Sequence, residues 1–236
     1  MKKKVNNHKP PIIGLSLLML MNASSLFGQS AFETNSRLIL GVYKERSASI
    51  SAGDIDGDGD IDLLVANGRH WPGQNRVFVN NGRGIYTVAR TLGNESETSY
   101  ATELADFDGD GDLDVAVGND MAPNFIFLND GHGEFTKSTS FGAAYAPTRN
   151  ITVCDVDADG DMDILITNRG RENEICLNDG RGHFGKSLGF GSKDDSTIDV
   201  EANDIDNDGD VDLILANRDE QQNFIYLNNG QLDFSR

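Results

Sequence analysis

Short apolar segments alternate with polar turns along most of the chain, and the same arrangement occurs four times. The apolar segments are LLVAN, VAVGN, ILITN and LILAN, and each is followed by a segment that begins with asparagine. An Asn-Gly or Asp-Gly turn comes next, and then an aromatic residue at Tyr86, Phe135, Phe184 or Phe234. Such dipeptides between apolar runs predict β-hairpins. No helical period competes with this pattern.

Each repeat also carries a loop of alternating aspartates directly before its apolar segment. The loops are DIDGDGDID, DFDGDGDLD, DVDADGDMD and DIDNDGDVD, at successive offsets of 52, 49 and 49 residues. Tandem units of this length with about four short strands each are typical of β-propeller blades, whereas the rungs of a β-solenoid are shorter. We therefore predict an all-β fold, a β-propeller of four four-stranded blades.

The two ends of the repeat region are in phase with each other. The segment RLILG at residues 37–41 has the spacing of an outermost strand, and the chain ends just after Phe234, where the fourth repeat would begin its own. The N-terminal strand is therefore predicted to complete the last blade and close the ring, which removes exposed sheet edges. A dimer that forms one eight-bladed ring is the alternative, and the sequence leaves it open.

The predicted organisation is a signal peptide followed by one domain. Residues 1–30 begin with Lys2, Lys3 and Lys4, continue with an apolar run over residues 12–21, and end in small and polar residues. This is the layout of a secretory signal, and the run is short for a membrane span. We expect a secreted protein (periplasmic, cell-surface or extracellular) without a membrane span after cleavage. The propeller covers residues 31–236, with repeats at approximately 37–83, 84–133, 134–182 and 183–236.

Net charge excludes one class of partner, and the positions of the cysteines bear on disulfide formation. The chain has 38 acidic against 20 basic residues and a net charge of −18, which argues against nucleic acid as a partner. Cys154 and Cys176 lie in predicted strands with another strand between them. Strands in those positions are about 9–10 Å apart, beyond the reach of a disulfide. Both cysteines are therefore predicted to be free and buried.

The aspartates occupy positions one, three, five, seven and nine of every loop. Glycines in these loops permit a tight turn, in which side chains two residues apart can converge. Ca²⁺ takes six to eight oxygen ligands, a main-chain carbonyl among them, whereas Mg²⁺ prefers fewer protein ligands. We predict about four Ca²⁺ ions, one per repeat, and the candidate ligands are Asp54, Asp56, Asp58, Asp60, Asp62, Asp106, Asp108, Asp110, Asp112, Asp114, Asp155, Asp157, Asp159, Asp161, Asp163, Asp204, Asp206, Asp208, Asp210 and Asp212.

Two alternatives for the loops are weaker. An EF-hand needs a glutamate at position twelve, where this chain has Val65, Val117, Ile166 and Leu215, although the carboxylate at position nine could replace it. A solvated loop that binds nothing leaves the repulsion between its carboxylates uncompensated. The position-seven side chains are expected to point outward, with only their carbonyls as ligands.

At these residues the chain resembles the FG-GAP/VCBS repeat family, the integrin-α-like calcium-binding β-propellers. DFDGDGDLDVAVGN followed by NFIFLNDGHGEF has the form of the family's signature, and SFGAA (Ser140–Ala144) is similar to its FG-GAP turn. The resemblance covers about residues 37–236. It implies a calcium-loaded propeller of the kind found in adhesion proteins, lectins and some extracellular polysaccharide lyases. Four repeats are fewer than the family usually has, and the FG turn is degenerate in TLGNE and GFGSK.

Residues that do not repeat are concentrated in the loops opposite the aspartates. Arginine forks beside exposed aromatic rings suit carboxylated or sulfated sugars, although ordinary surface charge is an equal alternative. The candidate ligand-binding residues are Arg69, His70, Trp71, Tyr145, Arg149, Arg169, Arg171 and Arg218.

No catalytic residue is assigned, because no non-repeated cluster of acid, base and stabiliser stands out. The predicted function is a lectin-like or adhesion module that binds an extracellular glycan or protein, as a monomer or as a homodimer. The alternative is an extracellular polysaccharide lyase acting on an anionic glycan, with His70 or Tyr145 as its base. A third hypothesis is a structural subunit that assembles through its acidic face.

Overall fold

The computed structural model describes residue 40 and residues 44–235, apart from the side chains of Thr87 and Val88. Contacts divide the chain into two units, and the described residues all belong to the second, Asn35–Arg236. Every regular element in this part of the chain is a β-strand. No helix within the described residues is long and apolar enough to cross a membrane.

The strands form four antiparallel sheets, in each of which they follow chain order. Blade one contains β1 (Ser47–Gly53), β2 (Asp62–Asn67), β3 (Arg76–Asn80) and β4 (Tyr86–Thr91). Blade two contains β5 (Ser99–Ala105), β6 (Asp114–Asn119), β7 (Asn124–Asn129) and β8 (Phe135–Phe141). Blade three contains β9 (Thr148–Cys154), β10 (Asp163–Asn168), β11 (Asn173–Leu177) and β12 (Lys186–Phe190). Blade four contains β13 (Thr197–Asn203), β14 (Asp212–Asn217) and β15 (Phe224–Tyr226).

In blades two and three the second strand is buried on both faces, because a neighbouring blade covers each face. In β10, Ile164 and Ile166 pack toward blade two. Leu165, between them in sequence, packs toward blade four. All three side chains are fully buried. A continuous apolar run in place of strict alternation is the sequence pattern of a strand buried on both faces.

Three hydrophobic cores therefore lie between successive blades. The core between blades one and two includes Ile55, Leu64, Val77, Val115, Val117 and Phe127. The core between blades two and three includes Phe107, Ile126, Phe141, Ile151, Ile164 and Ile166. The core between blades three and four includes Leu165, Ile175, Phe190, Val200, Leu213 and Tyr226.

The innermost strand of each blade is the first one, and these strands contact one another in the order β1, β5, β9, β13. The Ser51 hydroxyl donates to the Thr102 carbonyl over 2.6 Å, which connects β1 to β5. In the same way the Thr152 hydroxyl donates to the Val200 carbonyl over 2.7 Å, between β9 and β13. The all-β, four-bladed β-propeller predicted from the repeats is thus confirmed.

The sheets are out of phase with the sequence repeats by one strand. Blade one spans residues 47–91, so the outermost strand β4 lies in the second predicted repeat. Blade four shows three strands, and Leu227 and Ser235 pair beyond them. The predicted closing strand at residues 37–41 lies outside the described residues except for Leu40, and the eight-bladed dimer stays a prediction.

The two cysteines occupy the predicted strands. Cys154 ends β9, Cys176 lies in β11, and β10 pairs with both strands between them. Both thiols are free, as predicted. Burial raises the pKa of Cys154 to about 12 and that of Cys176 to about 11. Neither thiol forms a reactive thiolate at neutral pH.

Equivalent residues in adjacent blades test how completely each face is covered. Leu165 pairs with Thr152 and is fully buried, whereas Ile214 pairs with Glu201 at the same place in blade four and is 40% exposed. We expect Leu165→Ala to lower the free energy of unfolding by about 2–5 kcal/mol and Ile214→Ala by less than about 1 kcal/mol. Denaturant titration at constant calcium concentration measures both. Equal losses would mean that the Ile214 face is covered in solution.

Candidate functional site

The aspartate loop joins the first strand of each blade to the second, and its own carboxylates hold its shape. In blade two, Asp106 Oδ2 accepts a hydrogen bond from the Gly111 N–H over 3.0 Å. Asp110 Oδ1 accepts from the Asp112 N–H, also over 3.0 Å. The other three loops make the same two bonds. These two hydrogen bonds are common to all four turns.

The carboxylate at position nine is buried and binds two backbone groups. Asp114 Oδ2 accepts from the Phe107 N–H over 3.0 Å, which closes the loop. Asp114 Oδ1 accepts from the Asn129 N–H over 2.8 Å, which fixes the hairpin between the third and fourth strands. Equivalent pairs of bonds occur in the other blades. The sequence did not indicate this role, because the repeated acids give no sign of which ones face the interior.

Three carboxylates in each loop come within 4.8 Å of one another and could hold a metal ion. The four groups are Asp54, Asp56 and Asp58; Asp106, Asp108 and Asp114; Asp155, Asp157 and Asp163; and Asp204, Asp206 and Asp212. Blade one uses position five where the others use position nine. The remaining predicted ligands lie outside these groups: Asp60, Asp62, Asp110, Asp112, Asp159, Asp161, Asp208 and Asp210.

The charge in these groups is poorly compensated by the protein. The Oδ1 atoms of Asp54, Asp56 and Asp108 are buried without a hydrogen-bond partner. Burial, followed by repulsion from Asp110, raises the pKa of Asp108. The pKa of the aspartate at position three is raised in the other three loops as well. Burial also raises the pKa of Asp114 and Asp163 to about 6. Oxygen ligands of this kind suit a hard cation such as Ca²⁺.

The position-seven carboxylate was expected to point outward, but it is half-buried and lies against the hairpin turn of its own blade. A Cβ atom added to Gly131 would come within 2.5 Å of Asp112 Oδ2. The corresponding distance is 2.7 Å from Gly82 to Asp60, 2.6 Å from Gly180 to Asp161 and 2.8 Å from Gly230 to Asp210. These glycines also have φ of 72–77°, a backbone conformation that favours glycine, and the close approach of the carboxylate adds to that preference.

The hairpin turn of one blade also contacts the aspartate loop of the blade before it. Asn129 Nδ2 donates to the Ile55 carbonyl over 2.8 Å, from blade two to blade one. Asn178 Nδ2 donates to the Phe107 carbonyl over 2.9 Å, from blade three to blade two. We call the surface formed by these loops and turns the metal face.

The asparagines at the ends of the second strands satisfy backbone groups. Asn119 Nδ2 donates to the Pro123 carbonyl over 2.8 Å, and its N–H donates to Asn124 Oδ1 over 2.7 Å. Asn67, Asn168 and Asn217 make equivalent bonds. They are structural and do not form a ring of ligand-binding amides.

The opposite end of the innermost strands surrounds a cavity of about 560 Å³, here called the central pocket. All four blades contribute to its lining, which is Ala48, Arg69, His70, Tyr100, Arg149, Arg169, Ile198 and Arg218. Five of the eight predicted ligand-binding residues therefore come together. Trp71, Tyr145 and Arg171 do not line this cavity, and the first two are 63% and 65% exposed.

Four lining residues occupy the same irregular position of the innermost strands. Ser99 pairs with Asn119 and Ala101 with Gly118, so that Tyr100 between them has no partner in the ladder. Ala48, Arg149 and Ile198 are unpaired in the same way. A β-bulge redirects its side chain, and here four bulge residues line the pocket. Of these four residues, only Arg149 was predicted from the sequence to bind a ligand. Positions 48, 100, 149 and 198 are nevertheless equivalent in the four repeats, because the repeat offsets separate them, and they carry four different residue types.

The Arg149 side chain is held in place on three sides. Its guanidinium lies 2.8 Å from Asp120 Oδ1 and donates to the Thr148 carbonyl over 2.8 Å. It also lies over the Tyr100 ring, 4.6 Å from the centroid. The Tyr100 hydroxyl in turn lies 2.7 Å from His70 Nδ1. These contacts connect blades one, two and three at the pocket.

The pocket carries an excess of positive charge. Arg169 and Arg218 share one acidic partner, Asp219, at 3.4 and 3.2 Å. Arg69 makes no ion pair with the described residues. Four guanidiniums therefore face two carboxylates, Asp120 and Asp219, in a protein whose net charge is strongly negative.

The innermost strands become acidic beyond the pocket. Glu103 lies three residues after Tyr100 on β5, about 10 Å closer to the metal face. Burial, and then repulsion from Glu201 and Asp199 on β13, raises the pKa of Glu103 to about 7. Asn150 donates to Asp199 from the neighbouring strand. Positive and negative charge thus lie at different depths along the same strands.

Comparison with known proteins supports the repeat assignment and the fold. The family model described as FG-GAP-like repeat matches residues 54–117, 106–166 and 155–215. Two crystal structures of BBS1N in complex with ARL6DN align with TM-scores of 0.52 and 0.54 at 15% and 13% identity. Each covers 84% of this chain, which spans 55% and 58% of theirs.

A weaker structural similarity involves the V. cholerae biofilm matrix protein Bap1, with a TM-score of 0.43 at 18% identity. It covers 73% of this chain and 29% of that protein. No curated protein matches the sequence. At these identities the structural comparisons bear on the fold alone.

The raised pKa of Glu103 predicts a pH-dependent stability. The folded state favours the protonated acid, so this stabilisation is complete below the usual pKa and is lost as the pH rises through about 7. We expect Glu103→Gln to raise the free energy of unfolding by roughly 1 kcal/mol at pH 8, because the group is only partly buried. The difference should vanish below pH 4.5.

Denaturant titrations across this pH range, with the exposed Glu220→Gln as control, measure the difference between variant and parent. A Glu103→Gln protein no more stable than the parent at pH 8 would contradict the expectation.

Proposed function

Because the chain belongs to the FG-GAP repeat family, we propose that it is a secreted, calcium-loaded β-propeller that binds an extracellular glycan or protein. The observation that carries this proposal is the separation of the two faces. Repeated carboxylates form the metal face, whereas non-repeated arginines and aromatic residues meet at the central pocket. The first face stabilises the fold, and the second recognises the ligand.

Calcium is the proposed metal for all four loops. Positions one and three would hold it, with position nine, or position five in blade one, as the third carboxylate. The position-seven carbonyl supplies a further oxygen. Removal of Lys2, Lys3, Lys4 and Lys9 with the signal peptide changes the net charge from −18 to −22, and four Ca²⁺ ions would bring it to −14. Bound cations offset the repulsion within each loop and so stabilise the folded state.

An extracellular location agrees with both the N-terminal segment and the metal. The basic and apolar residues at positions 1–30 have the layout of an export signal. Extracellular calcium modules bind with dissociation constants of about 10⁻⁴–10⁻³ M, a range in which the metal is available outside cells. The proposed location is therefore the periplasm, the cell surface or the medium.

A second candidate function, a polysaccharide lyase, is favoured by one contact. The Tyr100 hydroxyl and His70 Nδ1 lie 2.7 Å apart beside the Arg149 guanidinium. A lyase removes the proton next to a uronate carboxylate, for which it needs a base and a neutralising cation. Tyr100, and not Tyr145 as the sequence suggested, is the tyrosine that lines the pocket with His70.

Calcium removal should destabilise the protein. One site at a hundredfold excess of metal over its dissociation constant stabilises by about 2.7 kcal/mol, which corresponds to about 5–10 °C in a domain of this size. We expect EDTA to lower the Tm by at least this amount, and re-addition of Ca²⁺ to restore it. An unchanged thermal melt in EDTA would exclude the proposed role.

Two aspartates of one loop provide a matched comparison. Asp108 has a buried oxygen without a partner and belongs to a carboxylate group, whereas Asp112 lies outside the group against Gly131. In calorimetric titration Asp108→Asn should bind three Ca²⁺ ions and Asp112→Asn four, since there are four groups. Loss of a site in both variants would show that the Asp112 side chain is also a ligand.

Two assays, retention on immobilised glycans and ultraviolet absorbance, distinguish binding from catalysis. We expect immobilised glycans to retain the calcium-loaded protein, with no increase in the ultraviolet absorbance of unsaturated uronates. Such an increase with an anionic glycan, lost in His70→Ala and Tyr100→Phe, would establish the lyase. If no immobilised glycan or protein retains the calcium-loaded protein and no product forms, both the binding function and the lyase function are contradicted.

A further inference from the structure

We propose that the central pocket binds an oxyanion carried by a sugar, a carboxylate or a sulfate, at a chain end or a branch that enters between the four innermost strands. This inference rests on the proposed function and names the ligand class for the same site. It concerns the residues that do not repeat, and it is independent of how many metal ions the loops hold.

The arginines of the central pocket have fewer acidic partners than their number requires. Arg69 has no ion-pair partner among the described residues, and Arg169 and Arg218 have one carboxylate, Asp219, between them. The side chains of Arg169 and Arg218 are 43% and 48% exposed, so a ligand can reach both. A carboxylate or sulfate accepts two parallel hydrogen bonds from a guanidinium, which a point charge such as lysine cannot offer.

One arginine of the central pocket is already held in a fixed position. Arg149 is 15% exposed and fixed by Asp120, the Thr148 carbonyl and the Tyr100 ring. A side chain that is already immobile loses little conformational entropy when a ligand binds. The bulges that direct Arg149 and Tyr100 inward belong to paired strands, so this wall of the pocket is rigid before any ligand arrives.

The acidic groups beyond the pocket limit how far an anion can enter. Glu103 and its neighbours Asp199 and Glu201 lie closer to the metal face on the same strands. Like charges at that depth repel a carboxylate, whereas sugar hydroxyls can donate hydrogen bonds to them. The anionic group is therefore held at the level of the arginines, with the neutral part of the sugar free to point either way.

Shape and lining favour a sugar over an acidic peptide. The pocket, at about 560 Å³, has the size of a small-molecule site and is bounded by side chains of all four blades. A space of this size can admit the end or a branch of a polysaccharide. The His70 imidazole and the Tyr100 hydroxyl supply polar groups that can exchange hydrogen bonds with ring hydroxyls. Trp71, next to His70 in sequence and 63% exposed, offers a ring at the rim.

The test compares arginines inside and outside the pocket. Arg69→Gln and Arg218→Gln remove lining guanidiniums, and neither should disturb the core, because both side chains lie at the surface. Arg171→Gln is the matched control, since it removes the same charge from a side chain that does not line the pocket, two residues after Arg169. Equal Tm values in calcium would verify that all three variants fold.

The probes are oligosaccharides of glucuronate or galacturonate, their carboxyl-reduced forms, sulfated galactose and a glutamate-rich peptide. Titration calorimetry should show that each pocket variant binds the preferred anionic sugar at least tenfold more weakly, and the control variant within twofold of the parent. Carboxyl-reduced sugars should not bind. Preference for uronate or for sulfated galactose identifies the source of the oxyanion.

Four results would overturn the inference. A ligand whose affinity is equal in the parent and both pocket variants would refute the pocket but leave the proposed binding function intact. Equal binding of carboxyl-reduced sugars would refute the oxyanion. Binding of the glutamate-rich peptide alone would show a peptide site. Absence of any binding partner, tested also on immobilised proteins and glycans, would refute the proposed function together with the inference.

Discussion

The structure depends on negative charge that is concentrated in four short loops. Each loop contains five aspartates, and the one at position nine is buried where it binds the loop and the hairpin of its own blade. The hairpin in turn donates to the loop of the preceding blade, as Asn129 does to Ile55. A cation bound in one loop would therefore stabilise the contact between two blades as well as a single turn.

The repeat pattern was sufficient to predict the fold, because spacing alone determines it. Four apolar segments at equal offsets, each followed by an Asn-Gly or Asp-Gly turn, predict the blades and place the arginine loops opposite the aspartates. The position of individual side chains could not be predicted in the same way. Asp112 packs against Gly131 and Tyr145 lies outside the central pocket for reasons of backbone geometry that leave no local trace in the sequence.

Tyr100 lines the central pocket but was not predicted from the sequence to bind a ligand. Its inward direction results from a strand bulge, and a bulge depends on pairing with a neighbouring strand rather than on the residue itself. Comparison of equivalent positions in the repeats would nevertheless have pointed to it, because the bulge residues differ between blades whereas the residue before each of them is serine or threonine. In a repeat protein, the positions that break the repeat mark the surface where blades differ in chemistry.

The bulges have a consequence for how such a protein can diversify. A bulged residue makes no ladder hydrogen bond, and its replacement leaves strand register, interblade cores and metal ligands unchanged. The four positions occupied by Ala48, Tyr100, Arg149 and Ile198 therefore resemble the variable loops of a binding scaffold, although they lie within regular sheets. Gene variants or designed libraries restricted to these four codons would sample new ligand specificities on a constant β-propeller framework.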